Sequence, residues 1–226
     1  MADKSMQFLY GDRELIMVSG DLLDVEVDVI VSPADCDLSH SHPMAMKISS
    51  AGGSIVTEQS SQLIKEYKSI ESGMAVYTTA GQLPFDALVH AVSPVMGEGN
   101  EQHKIEQAIS RSLLLCETND WTSIAFPALG TAHFEIPITT CAQAYFRSIT
   151  SFWDARFECS VDKIVLCLDE DELQPFFEAF RDDAIMTDEV VNEEQCEERA
   201  ESVGYVEISE EDLEAMEDPE IEDWFK

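Results

Sequence analysis

The chain of 226 residues carries 46 acidic and 13 basic side chains, and its formal net charge is −33. This length is sufficient for one domain with a hydrophobic core. The excess of negative charge argues against direct binding to nucleic acid or to anionic membranes, since both attract Lys and Arg. Because no apolar run approaches the roughly 18 residues of a spanning helix, the sequence also predicts no membrane association.

Apolar runs and alternating patterns predict seven strands, in chain order over residues 6–10, 14–19, 25–31, 74–79, 87–92, 123–126 and 163–168. Apolar side chains at helical spacing predict five helices, over residues 44–51, 54–68, 101–116, 138–154 and 171–181. Gly11 and Asp12 suit the turn between the first two strands, and Pro43 suits the start of the first helix. Alternation of strands and helices predicts an α/β fold with a mostly parallel sheet.

The acidic side chains are concentrated towards the C-terminus. Residues 182–226 contain 19 Asp or Glu against Arg199 and Lys226 and carry −17, whereas residues 1–181 carry −16. Such like-charge runs with few apolar residues predict a domain over 1–181 followed by a largely disordered acidic tail. The tail ends in Trp224 and Phe225, which suits a basic, grooved protein partner; the alternative is a solvated tail without a partner.

Six cysteines are spread through the chain without a Cys-x-x-Cys pair, and most lie inside apolar segments. That pattern favours a reduced protein, and the N-terminus lacks the apolar stretch of a secretory signal. We therefore expect a cytoplasmic protein. Neither a phosphate loop with its lysine nor a Gly-x-Gly-x-x-Gly motif is present, and we expect no cofactor.

Two strand–loop–helix units suggest a ligand that contains a pyrophosphate. One runs over residues 29–48 and the other over residues 123–137, where a second helix follows. Helix N-termini in α/β proteins bind phosphates at such loops, because their first N–H groups have no partner inside the helix. Two such loops on one small domain can each hold one phosphate of the same ligand.

Six short segments follow one another along the chain: 20–23 (GDLL), 32–35 (SPAD), 41–48 (SHPMAMKI), 78–83 (TTAGQL), 88–94 (LVHAVSP) and 124–131 (IAFPALGT). In this order they resemble the macro domain family of ADP-ribose-binding modules, over about residues 15–180. The resemblance implies a three-layer α/β/α fold with a mixed, mostly parallel central sheet. It also implies ADP-ribose, free or attached to a protein, as the ligand.

The resemblance implies a set of ligand-binding residues: Asp21, Leu22, Asp35, Ala128, Gly130, Thr131, Ala132, His133 and Phe134. Asp21 would accept a hydrogen bond from the adenine amine, or else it only caps a turn. The loop 130–134 would hold the diphosphate through backbone N–H groups, which need no basic side chain. Phe134 would contact the distal ribose, or else it is an ordinary core aromatic residue.

The chain departs from the family where hydrolases carry their catalytic groups. Asp35 replaces an asparagine, and Ser41-His42-Pro43 replaces a glycine run. Ala45 stands where the hydrolase branch has an aspartate, and Ala132 stands where a glycine is usual. The usual hydrolase machinery is therefore absent by this comparison of residues.

Three functions are consistent with this pattern. The first is a module that binds ADP-ribose or a related nucleotide without hydrolysing it. The second is an ADP-ribosyl hydrolase with altered machinery, in which Asp35 and His42 act as acid and base. The third is a degenerate macro fold that interacts with proteins through its acidic tail.

His40 and His42 near Asp35 could suggest a metal site, but in a loop this spacing is uninformative, and we predict no metal.

Overall fold

One mixed sheet of eight strands runs through the computed structural model, which describes residues 5–156, 159–181 and 185–186. The strands are β1 (Ser5–Tyr10), β2 (Arg13–Val18), β3 (Val29–Ala34), β4 (Ala75–Thr78), β5 (Ala87–Val92), β6 (Ser123–Pro127), β7 (Lys163–Cys167) and β8 (Ile185–Met186). Their order across the sheet is β4-β5-β3-β6-β7-β2-β1-β8. Neighbours from β5 to β2 are parallel, and β4, β1 and β8 pair antiparallel.

Five helices cover the two faces of the sheet: α1 (Pro43–Gly52), α2 (Ser54–Tyr67), α3 (Glu101–Thr118), α4 (Ile138–Asp154) and α5 (Glu170–Arg181). Ile48 of α1 and Val56 of α2 are buried against one face. Ile109 of α3, Tyr145 of α4 and Phe176 of α5 are buried in the larger core on the other. The predicted three-layer α/β/α fold is therefore confirmed.

None of the described helices has the length and hydropathy required to cross a membrane.

The sheet opens between β3 and β6. These two strands pair only at Val29–Ile124 and Ile30–Ala125, whereas the pairing of β3 with β5 continues to Ala34. Pro33 is tolerated inside β3 because the ladder to β6 has already ended there. The chain leaves β3 for helices on one face and reaches β6 from a helix on the other. Such a switch point creates a crevice at the carboxyl ends of the strands, where α/β proteins bind ligands.

The sequence misplaced the start of the third strand and missed one short strand. The third strand was predicted over residues 25–31 but begins at Val29, because Asp28 is held outside it by hydrogen bonds to the residues that start β6. The two-residue strand β8 was not predicted, and it lies within the segment 182–226 assigned to the tail. The rest of that segment lies outside the described residues, so the boundary at residue 181 stays a prediction.

Asp28 connects the start of β3 to β6, and we expect Asp28→Asn to lower the free energy of unfolding by about 1–2 kcal/mol at pH 7. Its Oδ2 accepts hydrogen bonds from the N–H of Thr122 at 2.7 Å and the N–H of Ser123 at 3.0 Å. Partial burial opposes ionisation, but these hydrogen bonds prevail and lower the pKa of Asp28 below its ordinary 3.8. Urea denaturation of both proteins measures the difference.

The sign of this pKa shift fixes the pH dependence. A carboxylate with a lowered pKa stabilises the folded state above its unfolded pKa, and this stabilisation is lost as the pH falls through the folded value. The advantage of the parent over Asp28→Asn should therefore shrink below about pH 4. Asp12→Asn, in the exposed turn between β1 and β2, is the matched control and should behave like the parent. A difference that stays constant with pH would contradict the role of the charge.

Candidate functional site

A cavity of about 430 Å³ lies at the carboxyl ends of β3, β6 and β7. Its wall includes the start of α1, the loop after β6 and the start of α5. Six of the residues predicted from the sequence line it: His42, Ala128, Thr131, Ala132, His133 and Phe134. His42 and Pro43 form part of this wall without filling the cavity, so the residues that replace the glycine run leave room for a ligand.

The loop after β6 presents backbone N–H groups on the cavity wall. It contains a single 3₁₀ turn, Ala132–Phe134, in which Phe134 N–H donates to the carbonyl of Thr131. The N–H groups of Thr131, Ala132 and His133 have no acceptor within the described part of the chain. Consecutive unpaired N–H groups of this kind bind anions.

Ala132 has a left-handed backbone conformation, with φ of 48°. This conformation is unfavourable for residues with a Cβ atom and favourable for glycine. It gives a physical reason for the glycine that the macro domain pattern has at this position. The chain keeps this loop conformation with alanine in place of glycine.

Gly130 lies beneath the loop and does not line the cavity. Its φ is 85°, and a Cβ atom there would lie 2.7 Å from Cδ1 of Ile105 and 3.2 Å from Sγ of Cys141. The absence of a side chain therefore lets the loop pack directly on α3 and α4. Gly130 shapes the site from below, and its predicted contact with a ligand stays untested.

The N-terminus of α1 forms the opposite wall. His42 occupies the N-cap position without a side-chain hydrogen bond to the helix, and Pro43 follows. Met46 N–H makes the first intrahelical bond, to the carbonyl of His42, so the N–H groups of Met44 and Ala45 have no acceptor inside the helix. This positive end of the helix dipole also favours an anion.

His42 and Asp35, the predicted acid–base pair, lie together. His42 is only 3% exposed, and its Nε2 is 3.0 Å from Oδ2 of Asp35. The approach is too far out of line for a hydrogen bond, and neither ring nitrogen has a partner among the described residues. Burial, reinforced by nearby His133, lowers the pKa of His42 although Asp35 opposes the shift. The lowered pKa favours the neutral imidazole at pH 7.

Asp35 is anchored by its own loop. Its Oδ2 also accepts hydrogen bonds from the hydroxyl groups of Ser39 and Ser41, each at 3.2 Å. His40, in contrast, turns away: its Nε2 lies 3.0 Å from the hydroxyl of Ser60. The ring that approaches His42 is His133, at a centroid distance of 4.2 Å.

Asp21 and Leu22 have local structural roles. Asp21 caps the 3₁₀ turn Leu22–Asp24 by accepting a hydrogen bond from Leu23 N–H at 3.0 Å, and it also pairs with Lys47. The hydrogen bond from Lys47 is the main cause of its lowered pKa. Leu22 is fully buried in the core, so its side chain does not reach the cavity. Of residues 20–22, Gly20 lines the wall of the cavity.

Glu172 and Cys167 line the cavity but were not predicted from the sequence. Glu172 is 8% exposed and accepts hydrogen bonds from Thr131 Oγ1 and Asp169 N–H, each at 2.9 Å. Burial, with help from nearby Asp169, raises its pKa. Burial also raises the pKa of Cys167 to about 12, which disfavours the reactive thiolate form. The sequence offered one signal for these two residues. They lie at or just after the end of a predicted parallel strand, and the carboxyl ends of parallel strands meet at one edge of the sheet.

The sequence profile described as "Macro domain" matches residues 31–145, which contain both loops of the cavity. The chain belongs to the macro domain family. As a macro domain, it is 32% identical to the O-acetyl-ADP-ribose deacetylase of Klebsiella pneumoniae, over 69% of this chain and 89% of that protein. It is also 31% identical to an uncharacterized protein of Thermotoga maritima, over 80% of this chain but only 31% of that longer protein.

Solved structures share the same fold. The Oceanobacillus iheyensis macrodomain with ADP superposes with a TM-score of 0.75, covering 80% of this chain and 97% of the other. The sequence identity of 21% means that this likeness concerns the fold alone. The order of elements that the sequence predicted is thus the order of a macro domain.

Proposed function

We propose that this macro domain binds ADP-ribose and holds its diphosphate on the backbone N–H groups of the cavity. The observation that carries the proposal is the unpaired N–H groups of Thr131, Ala132 and His133 on the cavity wall. The Oceanobacillus iheyensis macrodomain, which has the same fold, has been solved with ADP and, as a variant, with ADPR. ADP-ribose attached to a protein presents the same diphosphate.

Backbone donors explain how so acidic a chain can bind an anion. Asp169 and Glu172 line the same cavity, so the side chains add little positive charge there. The N–H groups of the loop and of the α1 terminus act as fixed dipoles, and their orientation is set by the fold before the ligand arrives. The ribose beyond the diphosphate would lie against Phe134, and the adenine would lie on the Gly20 side.

Calorimetric titration of the full chain with ADP-ribose tests the proposal. We expect one saturable site and a thermal stabilisation that rises with ligand concentration, by about 2.7 kcal/mol at 100 times the Kd. AMP and ribose 5-phosphate, which lack the diphosphate, are matched ligands and should bind at least about tenfold more weakly. Absence of heat and of any thermal shift with ADP-ribose would favour the degenerate fold instead.

A hydrolase is the second candidate, favoured by the contact of His42 with Asp35. A buried, neutral imidazole 3.0 Å from a carboxylate on the wall of a cavity can accept a proton from water. The Klebsiella relative bears the name of a deacetylase of an ADP-ribose ester. A modified protein tests this activity. If the parent releases ADP-ribose from it and His42→Ala does not, while still binding ADP-ribose, the activity is established.

A basic partner of the acidic tail and a cytoplasmic location stay predictions.

A further inference from the structure

Three possible metal ligands meet where the two cavity loops approach each other. Asp35 and His42 come from the loop after β3, and His133 comes from the loop after β6. One ligand atom from each residue lies within 4.8 Å of the other two. The cluster therefore bridges the opening between β3 and β6, and two of its members line the cavity.

The imidazole of His42 requires a partner that the described protein atoms do not supply. It is only 3% exposed, and both of its ring nitrogens lack a hydrogen-bond partner in the described chain. Buried polar side-chain atoms without partners are rare in proteins, and an unassigned ion is one of the recognised reasons for them. The ring lies 4.2 Å from that of His133 at a tilted angle, and both residues line the cavity, so His42 belongs to the site and not to the core.

We propose that Asp35, His42 and His133 bind a divalent transition-metal ion, with Zn²⁺ as the ion that suits them best. Two imidazoles and one carboxylate, with a fourth position open to a cavity, are a ligand set of catalytic zinc sites, and Fe²⁺ uses similar donors. Bonds of 2.0–2.2 Å require donor atoms roughly 3.4 Å apart. Oδ2 of Asp35 and Nε2 of His42, 3.0 Å apart, lie slightly closer than that and need only a small shift, and the exposed His133 can approach by side-chain rotation.

Neighbouring groups support the ligands. The hydroxyl groups of Ser39 and Ser41 donate to Asp35, which fixes the carboxylate in the way that outer hydrogen bonds orient metal ligands. The metal would also place positive charge on a cavity wall that carries Asp169 and Glu172. This inference does not depend on the binding of ADP-ribose, and its test uses the metal alone.

Equilibrium dialysis of the chelator-treated full chain against Zn²⁺, followed by metal analysis, measures the stoichiometry and the affinity. We expect one tight equivalent per chain. His133→Gln and His42→Gln should each weaken that equivalent by about 100-fold or more, since even outer-shell changes cost 10–100-fold. His103→Gln is the matched control, because His103 is a 67% exposed surface histidine outside the cluster, and it should bind like the parent.

Co²⁺ provides a second readout that separates this site from the cysteines and the acidic tail. Tetrahedral Co²⁺ bound by nitrogen and oxygen should show visible d–d bands without a thiolate charge-transfer band, and Cys36→Ser should leave the spectrum unchanged. Metal binding that survives in both histidine variants, a thiolate band, or no stoichiometric binding would each overturn the proposal. If His42→Gln does not fold, the exposed His133→Gln decides the question alone.

Discussion

Replacing Gly130 with alanine is expected to lower the free energy of unfolding by about 3 kcal/mol and to weaken ADP-ribose binding at least about tenfold. Its φ of 85° lies in the left-handed region, which costs a residue with a Cβ atom about 1–2 kcal/mol. The new methyl group would also lie 2.7 Å from Cδ1 of Ile105, and such overpacking costs about 1–3 kcal/mol. To relieve this clash, the side chain of Ile105 or the loop itself must shift, and we expect a shift of the loop, which displaces the N–H groups of Thr131, Ala132 and His133.

Gly11→Ala separates the two contributions. Gly11 also has a positive φ, of 68°, but a Cβ atom there would meet nothing within 4 Å. We expect a loss of only about 1 kcal/mol and an unchanged affinity for ADP-ribose. Urea denaturation and calorimetric titration of both variants and the parent provide the comparison. If Gly130→Ala binds ADP-ribose as tightly as the parent, the loop after β6 does not hold the ligand.

Most of the fold could be predicted because it depends on local patterns. Residues 87–92 form an apolar run that contains one polar residue, His90, and are the strand β5, while residues 138–154 have helical periodicity and are α4. The start of α1 at Pro43 follows from the fixed φ of proline. In each case the signal lies within a few residues of the element.

The contacts that complete the site join residues far apart in the sequence. Oγ1 of Thr131 donates a hydrogen bond to Glu172, and Asp21 pairs with Lys47; neither pairing follows from a local pattern. These contacts depend on which strands are neighbours, and the order of strands in the sheet is not visible in the periodicity. Residue types at the strand ends could be predicted, but their partners could not.

The histidines show the same limit within one loop. Sequence spacing pairs His40 with His42, yet His40 adopts a positive φ of 53° and its ring turns to Ser60. His133, from the loop after β6, takes the place beside His42. The sequence predicted no metal because the spacing of His40 and His42 in a loop is uninformative, and the third ligand of the proposed site comes from the other side of the sheet opening. The fold therefore replaces His40 by His133 among the candidate metal ligands near His42.

Tyr145→Phe is expected to lower the free energy of unfolding by about 2–4 kcal/mol, because two buried backbone groups would lose their hydrogen bonds. The hydroxyl of Tyr145 donates to the carbonyl of Pro127 at 2.6 Å and accepts from the N–H of Leu129 at 3.2 Å. The side chain is fully buried, and burial raises its pKa well above the ordinary value of 10.0, so the hydroxyl stays protonated. Urea denaturation measures the loss.

The same substitution reaches the binding site, because Pro127 and Leu129 flank Ala128 on the cavity wall. Without the hydroxyl, the end of β6 is no longer fixed to α4, and we expect ADP-ribose affinity to fall about tenfold. Tyr77→Phe is the matched control: Tyr77 is 44% exposed, and its hydroxyl makes only a long contact of 3.4 Å with Asn119. That variant should lose less than about 0.5 kcal/mol and bind normally. Equal effects of the two substitutions would mean that the strand end, and the loop that follows it, are positioned by backbone packing and not by Tyr145.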